Sequence, residues 1–234
     1  LSKFKTILEL EPENAVAGHF IAALTGKTTG TAPKAYVEDL FDDYASNFDH
    51  SLVNELEYKT PKIISKIAQS TCFNNSLGDV LDLGCGTGLV GMEISKFCKK
   101  LQGVDLSKAM LEEAKKKNVY NSLYHQDIEE HLASQQLDFD FFISADVFVY
   151  IGDLSDVFCL IKNRNKSSSK LVFSTEHREG DGFKLERSGR YSHSQKYIEG
   201  LCKKFNCELL HFETSELRRN KGISINGGFY SVKF

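Results

Sequence analysis

The 234-residue chain has no surplus of positive charge: 29 Lys and Arg stand against 32 Asp and Glu, a net charge of −3. Without a global basic field, nucleic acid and anionic membrane are not expected partners. The local clusters Lys115–Lys117 and 162–170 read as solvated faces. Six cysteines, at 72, 85, 98, 159, 202 and 207, include no C-x-x-C pair. That absence removes the common zinc and redox motifs, so no metal is expected. A chain this long needs no disulfide staples, and reduced thiols in a cytoplasmic protein are expected. No long apolar run is present either. The most apolar stretch, Phe139 to Ile151, is broken by Asp140 and Asp146 and is too short for a bilayer, and no leader pattern is visible.

What remains is ordinary in composition, with 41% hydrophobic and 26% charged residues, enough for a full core. The length suits one large α/β domain, or one domain with a small appendage. Residues 1–30 are helical in pattern and then turn-rich. Phe4, Ile7 and Leu8 form one apolar stripe. Pro12 suits the first turn of a second helix carrying Ala15, Ala17, Phe20 and Leu24. The stretch GKTTGTAP, Gly26 to Pro33, reads as a linker. The punctuation LELEPENA resembles the end of one tetratricopeptide repeat, without an array around it.

From Leu77 strands and helices alternate. Strands are expected at 79–84, 101–106, 122–127, 139–147, 170–177, 207–214 and 227–234. Helices are expected at 89–99, after Ser107, around 154–162 and near 194–205. Alternation of this kind implies a doubly wound, parallel sheet whose strand C-termini share one ligand-binding edge.

The loop after the first strand, LDLGCGTGLVG, admits two frames. Gly84, Gly86 and Gly88 give G-x-G-x-G; Gly86, Gly88 and Gly91 give the G-x-G-x-x-G of dinucleotide sites. Asp105 ends the second strand and suits ribose hydroxyls in either case. Asp82 and Asp127 separate the two. A carboxylate at Asp82 suits a ligand bearing ammonium or sulfonium charge and is awkward beside a pyrophosphate. Asp127 with Ile128 suits an adenine amino group and ring face.

The series VLDLGCGTG, then GVDLSKAML, then QDI, resembles the motif series of class I S-adenosylmethionine-dependent methyltransferases. More narrowly, FDDYASNFD (Phe41–Asp49), ADVFVYIGDL (Ala145–Leu154) and GRYSHS (Gly189–Ser194) resemble methyltransferases that carry N-terminal tetratricopeptide repeats, although Ser51 stands where a histidine is expected. The resemblance implies an α/β, Rossmann-like sheet of seven strands, mostly parallel with an antiparallel last strand, over 77–234. It implies lid helices over 31–76 and a helical segment with linker over 1–30. S-adenosyl-L-methionine is the implied cofactor. Gly84, Cys85, Gly86 and Gly88 would floor its methionine part, and Asp82 would order that loop or the amino group. Asp105 would hold the ribose, Leu106 and Met110 would pack on adenine, and Asp127 with Ile128 would read it. Asp146 and Val147 would lie beside the sulfonium, with Tyr44 and Phe48 on the lid.

Methyl transfer requires in-line attack on a carbon the cofactor already activates, and a general base only when the acceptor must lose a proton. No obligatory triad is therefore expected. Tyr150, His177 and His193 are the candidate catalytic residues, with Glu176, Arg190 and Tyr191 along the same edge. No N-P-P-Y or D-P-P-Y follows the fourth strand, and no Pro-Cys pair occurs. These absences disfavour amino methylation of DNA or protein glutamine, and cytosine C5 chemistry. An O or N atom of a small molecule is the expected acceptor. A protein methyltransferase, or a cofactor-binding adaptor recruited through the N-terminal helices, is the alternative.

Overall fold

The computed structural model describes all residues except 46–47, 51–57, 73–74, 135 and 221–222; the side chains of 50, 218–220 and 223 are likewise outside the description. Ser51 and part of the expected lid therefore fall outside it.

The first strand, β1 (Gly78–Leu83), shows why the sheet forms. Its Val80, Leu81 and Leu83 are fully buried, so both faces are covered, as a central parallel strand requires. Around it the order is β3 (Ser122–His125), β2 (Cys98–Asp105), β1, β4 (Phe141–Ser144) and β5 (Lys170–His177), all parallel. Beyond β5, β9 (Ile223–Lys233) runs antiparallel, and β8 (Glu208–Asn220) pairs with β9. This is the expected mostly parallel sheet with an antiparallel last strand.

The count differs. Among the described residues the sheet has nine strands rather than seven, because β6 (Phe183–Leu185) and β7 (Tyr191–His193) form a short hairpin. It pairs with the C-terminal tip of β5 through Glu176–Ser192 and His177–His193. Three-residue strands embedded in GDGFKLERSGRYSH carry no readable alternation, and tertiary pairing makes them.

Apolar layers cover the two sheet faces. Phe142, Leu171 and Phe173 pack with α8 (Ile128–Ser134), α9 (Ser155–Arg164) and α10 (Gln195–Lys204). Val80, Ile143 and Val172 pack with α5 (Thr60–Ser70) and α6 (Leu89–Ile94). α6 is shorter than expected: a 3-10 turn at Ser95–Phe97 ends it and β2 begins at Cys98. α7 (Lys108–Lys117) starts at Ser107, whose hydroxyl oxygen accepts the Met110 N–H at 3.0 Å.

At the N-terminus, α1 (Ser2–Leu10) is followed by α2 (Ala15–Thr25). Pro12 sits in the turn between them, not in a first helical turn. The cap is Asn14, whose side chain accepts the Ala17 N–H at 2.9 Å. The stretch expected as a linker is bonded into the fold. The Gly30 carbonyl accepts from the Gly152 and Asp153 N–H groups at 2.8 and 2.9 Å, and the Ala32 N–H donates to the Tyr150 carbonyl at 3.0 Å. α3 (Lys34–Tyr44) and the short α4 (Phe48–His50) then cross the C-terminal edge of the sheet.

Candidate functional site

At that edge lies a cavity of about 220 Å³. Its floor is the turn out of β1. Gly84, Gly86 and Gly88 have φ of +71°, +52° and +88°, the left-handed region that favours glycine. Gly84 is constrained twice, because a Cβ there would lie 2.4 Å from Cγ2 of Val147. Gly84, Cys85 and Gly86 line the cavity; Gly88 caps α6 and does not. The Cys85 thiol turns toward Gly103 of β2, and burial, with Asp105 and Asp82 nearby, pushes its pKa well up.

Asp105, at the tip of β2, ties two segments together. One carboxylate oxygen accepts the Gly86 N–H at 2.7 Å and the other the Ser107 N–H at 2.8 Å. Burial raises its pKa, and these amide bonds pull the other way. Leu106, Met110, Asp127 and Ile128 line the same side. Asp127 also caps α8, accepting from the Glu129 and Glu130 N–H groups at 3.1 Å, and it pairs with Lys34 at 3.2 Å.

Asp82 does not face the cavity. It is buried behind the loop, where it accepts the Tyr120 hydroxyl at 2.7 Å, and it is not among the cavity-lining residues. The Tyr120 ring lies against Gly88 and Gly91, so Asp82 meets the loop through Tyr120. Desolvation lifts the Asp82 pKa to about 7.

The other side of the cavity is built after β4 and from the lid. Asp146 adopts φ +59°, its N–H bonded to the Ser174 hydroxyl oxygen at 2.9 Å, and Val147 lies on Gly84. Tyr150 lines the cavity, edge-on to Phe41 at 5.5 Å. Arg190, on the hairpin, lies over the Tyr150 ring at 5.7 Å and reaches Glu176 at 3.8 Å. Burial works against the Arg190 charge; Tyr150, Glu176 and Asp146 outweigh it, and its pKa is raised.

Of the three candidate catalytic residues, only Tyr150 is brought to the cavity. His193 is fully buried, with Nε2–H donated to the Gly152 carbonyl at 2.9 Å, and burial lowers its pKa to about 4. His177 faces Glu179 and the Phe212 ring. Both histidines are off the cavity because β7 pairs along the β5 tip and buries that face. Tyr44 is also absent from the lining: it is 47% exposed, while Phe41 and Phe48 line the cavity in its place.

The sequence reading missed the lid's polar contacts. Asp42 accepts from the Ser107 hydroxyl at 2.5 Å and the Ala109 N–H at 3.2 Å. Asp49 accepts from the Thr87 hydroxyl at 2.5 Å and Lys117 Nζ at 2.6 Å. Only the acidic run itself was a signal, and it named no partner.

Comparison with known proteins adds to this geometry. Residues 80–166, from β1 to just past α9, match a family described as a methyltransferase domain. The malonyl-[acyl-carrier protein] O-methyltransferase of Bacillus anthracis is 26% identical over 145 residues, 61% of this chain and 53% of that protein. The chain thus spans about half that relative's length. The ubiquinone biosynthesis O-methyltransferase of Nitrosococcus oceani is 26% identical over 180 residues, 66% of this chain and 76% of that one. Among solved structures, magnesium protoporphyrin IX methyltransferase from Synechocystis PCC 6803, with bound SAH, superposes with a TM-score of 0.65 at 15% identity, over 86% of this chain and 99% of that one. The N-methyltransferase NodS from Bradyrhizobium japonicum WM9, in complex with S-adenosyl-L-homocysteine, gives 0.64 at 15% identity, over 84% and 97%. The structural likenesses establish the fold. The methyltransferase-domain match is confined to residues 80–166, the part of the chain that carries the glycine turn, Asp105 and Asp127.

Proposed function

We propose that the protein is an S-adenosyl-L-methionine-dependent methyltransferase that moves a methyl group to an oxygen or nitrogen of a small molecule. One observation carries the reading: the Gly84–Gly86 turn, Asp105, and Asp127 with Ile128 face a single cavity at the ends of the first three strands. The glycine turn lets backbone approach the methionine part. Asp105, held by two amides, offers its remaining lone pairs to ribose hydroxyls. Ile128 and Met110 suit an adenine ring, and Asp127 its amino group. The cofactor, when bound, supplies an electrophilic methyl carbon; the chain's own task is to orient the acceptor and exclude water. Phe41, Phe48 and Tyr150 do the latter on the lid side. Tyr150 is the candidate that stands nearest any proton handling.

Calorimetry with S-adenosylhomocysteine and with NAD tests the reading. Micromolar binding of the first and none of the second is expected; tighter binding of NAD would overturn it. Recruitment of a protein partner through the N-terminal helices is the weaker alternative. α2 turns inward, with the His19 Nε2–H donated to the Gly189 carbonyl at 2.9 Å, instead of presenting that face outward.

A further inference from the structure

The two sides of the cavity differ in charge, and the difference points to the acceptor. On the cofactor side Asp105, Asp127 and Glu129 line the wall, an acidic set suited to a ligand with sulfonium and ammonium charges. Two cations line the cavity among the described residues, Lys34 and Arg190. Lys34 is spent on the acidic side, 3.2 Å from Asp127 and 2.6 Å from Glu130. Across the cavity the cation is Arg190, over the Tyr150 ring, with Asp146 also lining that wall and favouring its charge.

Arg190 is held in place from behind. Its hairpin turn is closed by the Glu186 N–H donated to the Arg190 carbonyl at 2.8 Å. Its guanidinium lies over the Tyr150 ring, 5.7 Å from the ring centre, and NH1 stands 3.8 Å from Glu176, which does not line the cavity. A guanidinium has five N–H donors in a planar fork. Glu176 and Tyr150 fix one part of that fork, and the side chain keeps 31% of its surface open. A planar anion meets such a fork with two parallel bonds, which an ammonium does not offer.

Resting on the methyltransferase reading above, we propose that Arg190 is the acceptor-recognition residue, and that the acceptor is a small molecule with an apolar or aromatic body and a carboxylate. The body lies against Phe41, Val149 and Tyr150; the carboxylate meets Arg190. Neither histidine near this edge reaches the cavity, so recognition of the acceptor falls to Arg190 and the aromatic wall. The rival source of the same chemistry is the cofactor's own carboxylate, and the test separates the two.

The protein is first titrated with S-adenosylhomocysteine, then, saturated with it, with octanoate, benzoate and indole-3-acetate and with the matching neutral amides. Wild type, Arg190→Gln and Arg190→Lys are compared by calorimetry and thermal unfolding. The acids are expected to bind at least tenfold more tightly than their amides. Arg190→Gln should abolish that preference and Arg190→Lys should restore part of it. Equal binding of acids and amides to wild type, or no binding of either, overturns the proposal. So does a preference that survives in Arg190→Gln. A tenfold or greater loss of S-adenosylhomocysteine affinity in Arg190→Gln, with no acid preference in wild type, assigns Arg190 to the cofactor instead. Failure of wild type to bind S-adenosylhomocysteine at all sinks the underlying reading, a result distinct from each of these.

Discussion

The two halves of the cavity are built by opposite means. The half at the ends of β1, β2 and β3 is local and made largely of backbone. A single turn with three left-handed glycines meets a strand-end carboxylate, and both Asp105 oxygens go to amides. The half at the ends of β4 and β5 is assembled from distant pieces: Ala32 from the stretch before α3, Phe41 from α3, Tyr150 from the turn after β4, and Arg190 from the hairpin. Here side chains do the shaping, while the lid is fastened across to the other half, at α7, by Asp42–Ser107 and Asp49–Lys117. A cofactor shared by many enzymes can be met by fixed backbone. The half facing a variable acceptor is the one free to vary.

If that contrast holds, a substitution in the backbone-built half should act most strongly. Gly84→Ala combines a left-handed φ with a Cβ 2.4 Å from Val147, so a loss of about 2–4 kcal/mol of stability is expected, read by denaturant unfolding. An unchanged midpoint would show that the turn is softer than its geometry implies. Asp105→Ala should follow. It frees the Gly86 and Ser107 amides and strips the bonds expected to ribose, weakening S-adenosylhomocysteine binding by about 1.5–3 kcal/mol, roughly 10- to 150-fold in Kd. The same Kd in the variant would remove Asp105 from the site.

Asp82 sharpens the comparison through pH. Its carboxyl is lifted to about 7 in the folded protein by burial, against about 3.9 in an unfolded chain. The folded state therefore binds more protons between those values. The stability this group confers is full below about pH 4 and is lost as pH rises through 7. Asp82→Asn carries no such charge, so its stability relative to wild type should increase from pH 5 to pH 8. A difference that stays flat over that range would show that Asp82 titrates normally.

The smallest effect is expected at the lid. Partly exposed pairs such as Asp49–Lys117 contribute about 1 kcal/mol or less. Asp49→Ala should leave global unfolding almost unchanged, yet lower the hydrogen-exchange protection of residues 37–45 and the gain that S-adenosylhomocysteine produces there. Equal, high protection in both proteins, with and without ligand, would make α3 a static part of the fold.

The same contrast explains what the sequence made legible. β1 was plain from VLDL because a strand buried on both faces writes a continuous apolar run, and the glycine turn and Asp105 follow it at fixed spacing. Asp127 and Ile128 were found for the same reason, within a few residues of a strand end, whereas Leu106 and Met110 came from the resemblance. The lid residue was misplaced by helix phase. Tyr44, Phe41 and Phe48 share one apolar stripe, and only docking decides which rings face inward. Asp82 alternates along β1 to the side where Tyr120 waits, a partner 38 residues away that no local pattern reveals. The β6–β7 hairpin was invisible because its pairing with β5 is wholly tertiary. With it went the burial of His193 and the place of Arg190 on the cavity wall.

That hairpin also ties the N-terminal helices to the wall of the cavity. Gly189, the residue before Arg190, is gripped by α2: its carbonyl takes the His19 bond, and a Cβ there would sit 2.9 Å from the Phe20 ring. Arg190 is thus one peptide unit from a contact made by the first helices of the chain. If Arg190 reads the acceptor as proposed, a change at His19 or Phe20 reaches the pocket through position 189.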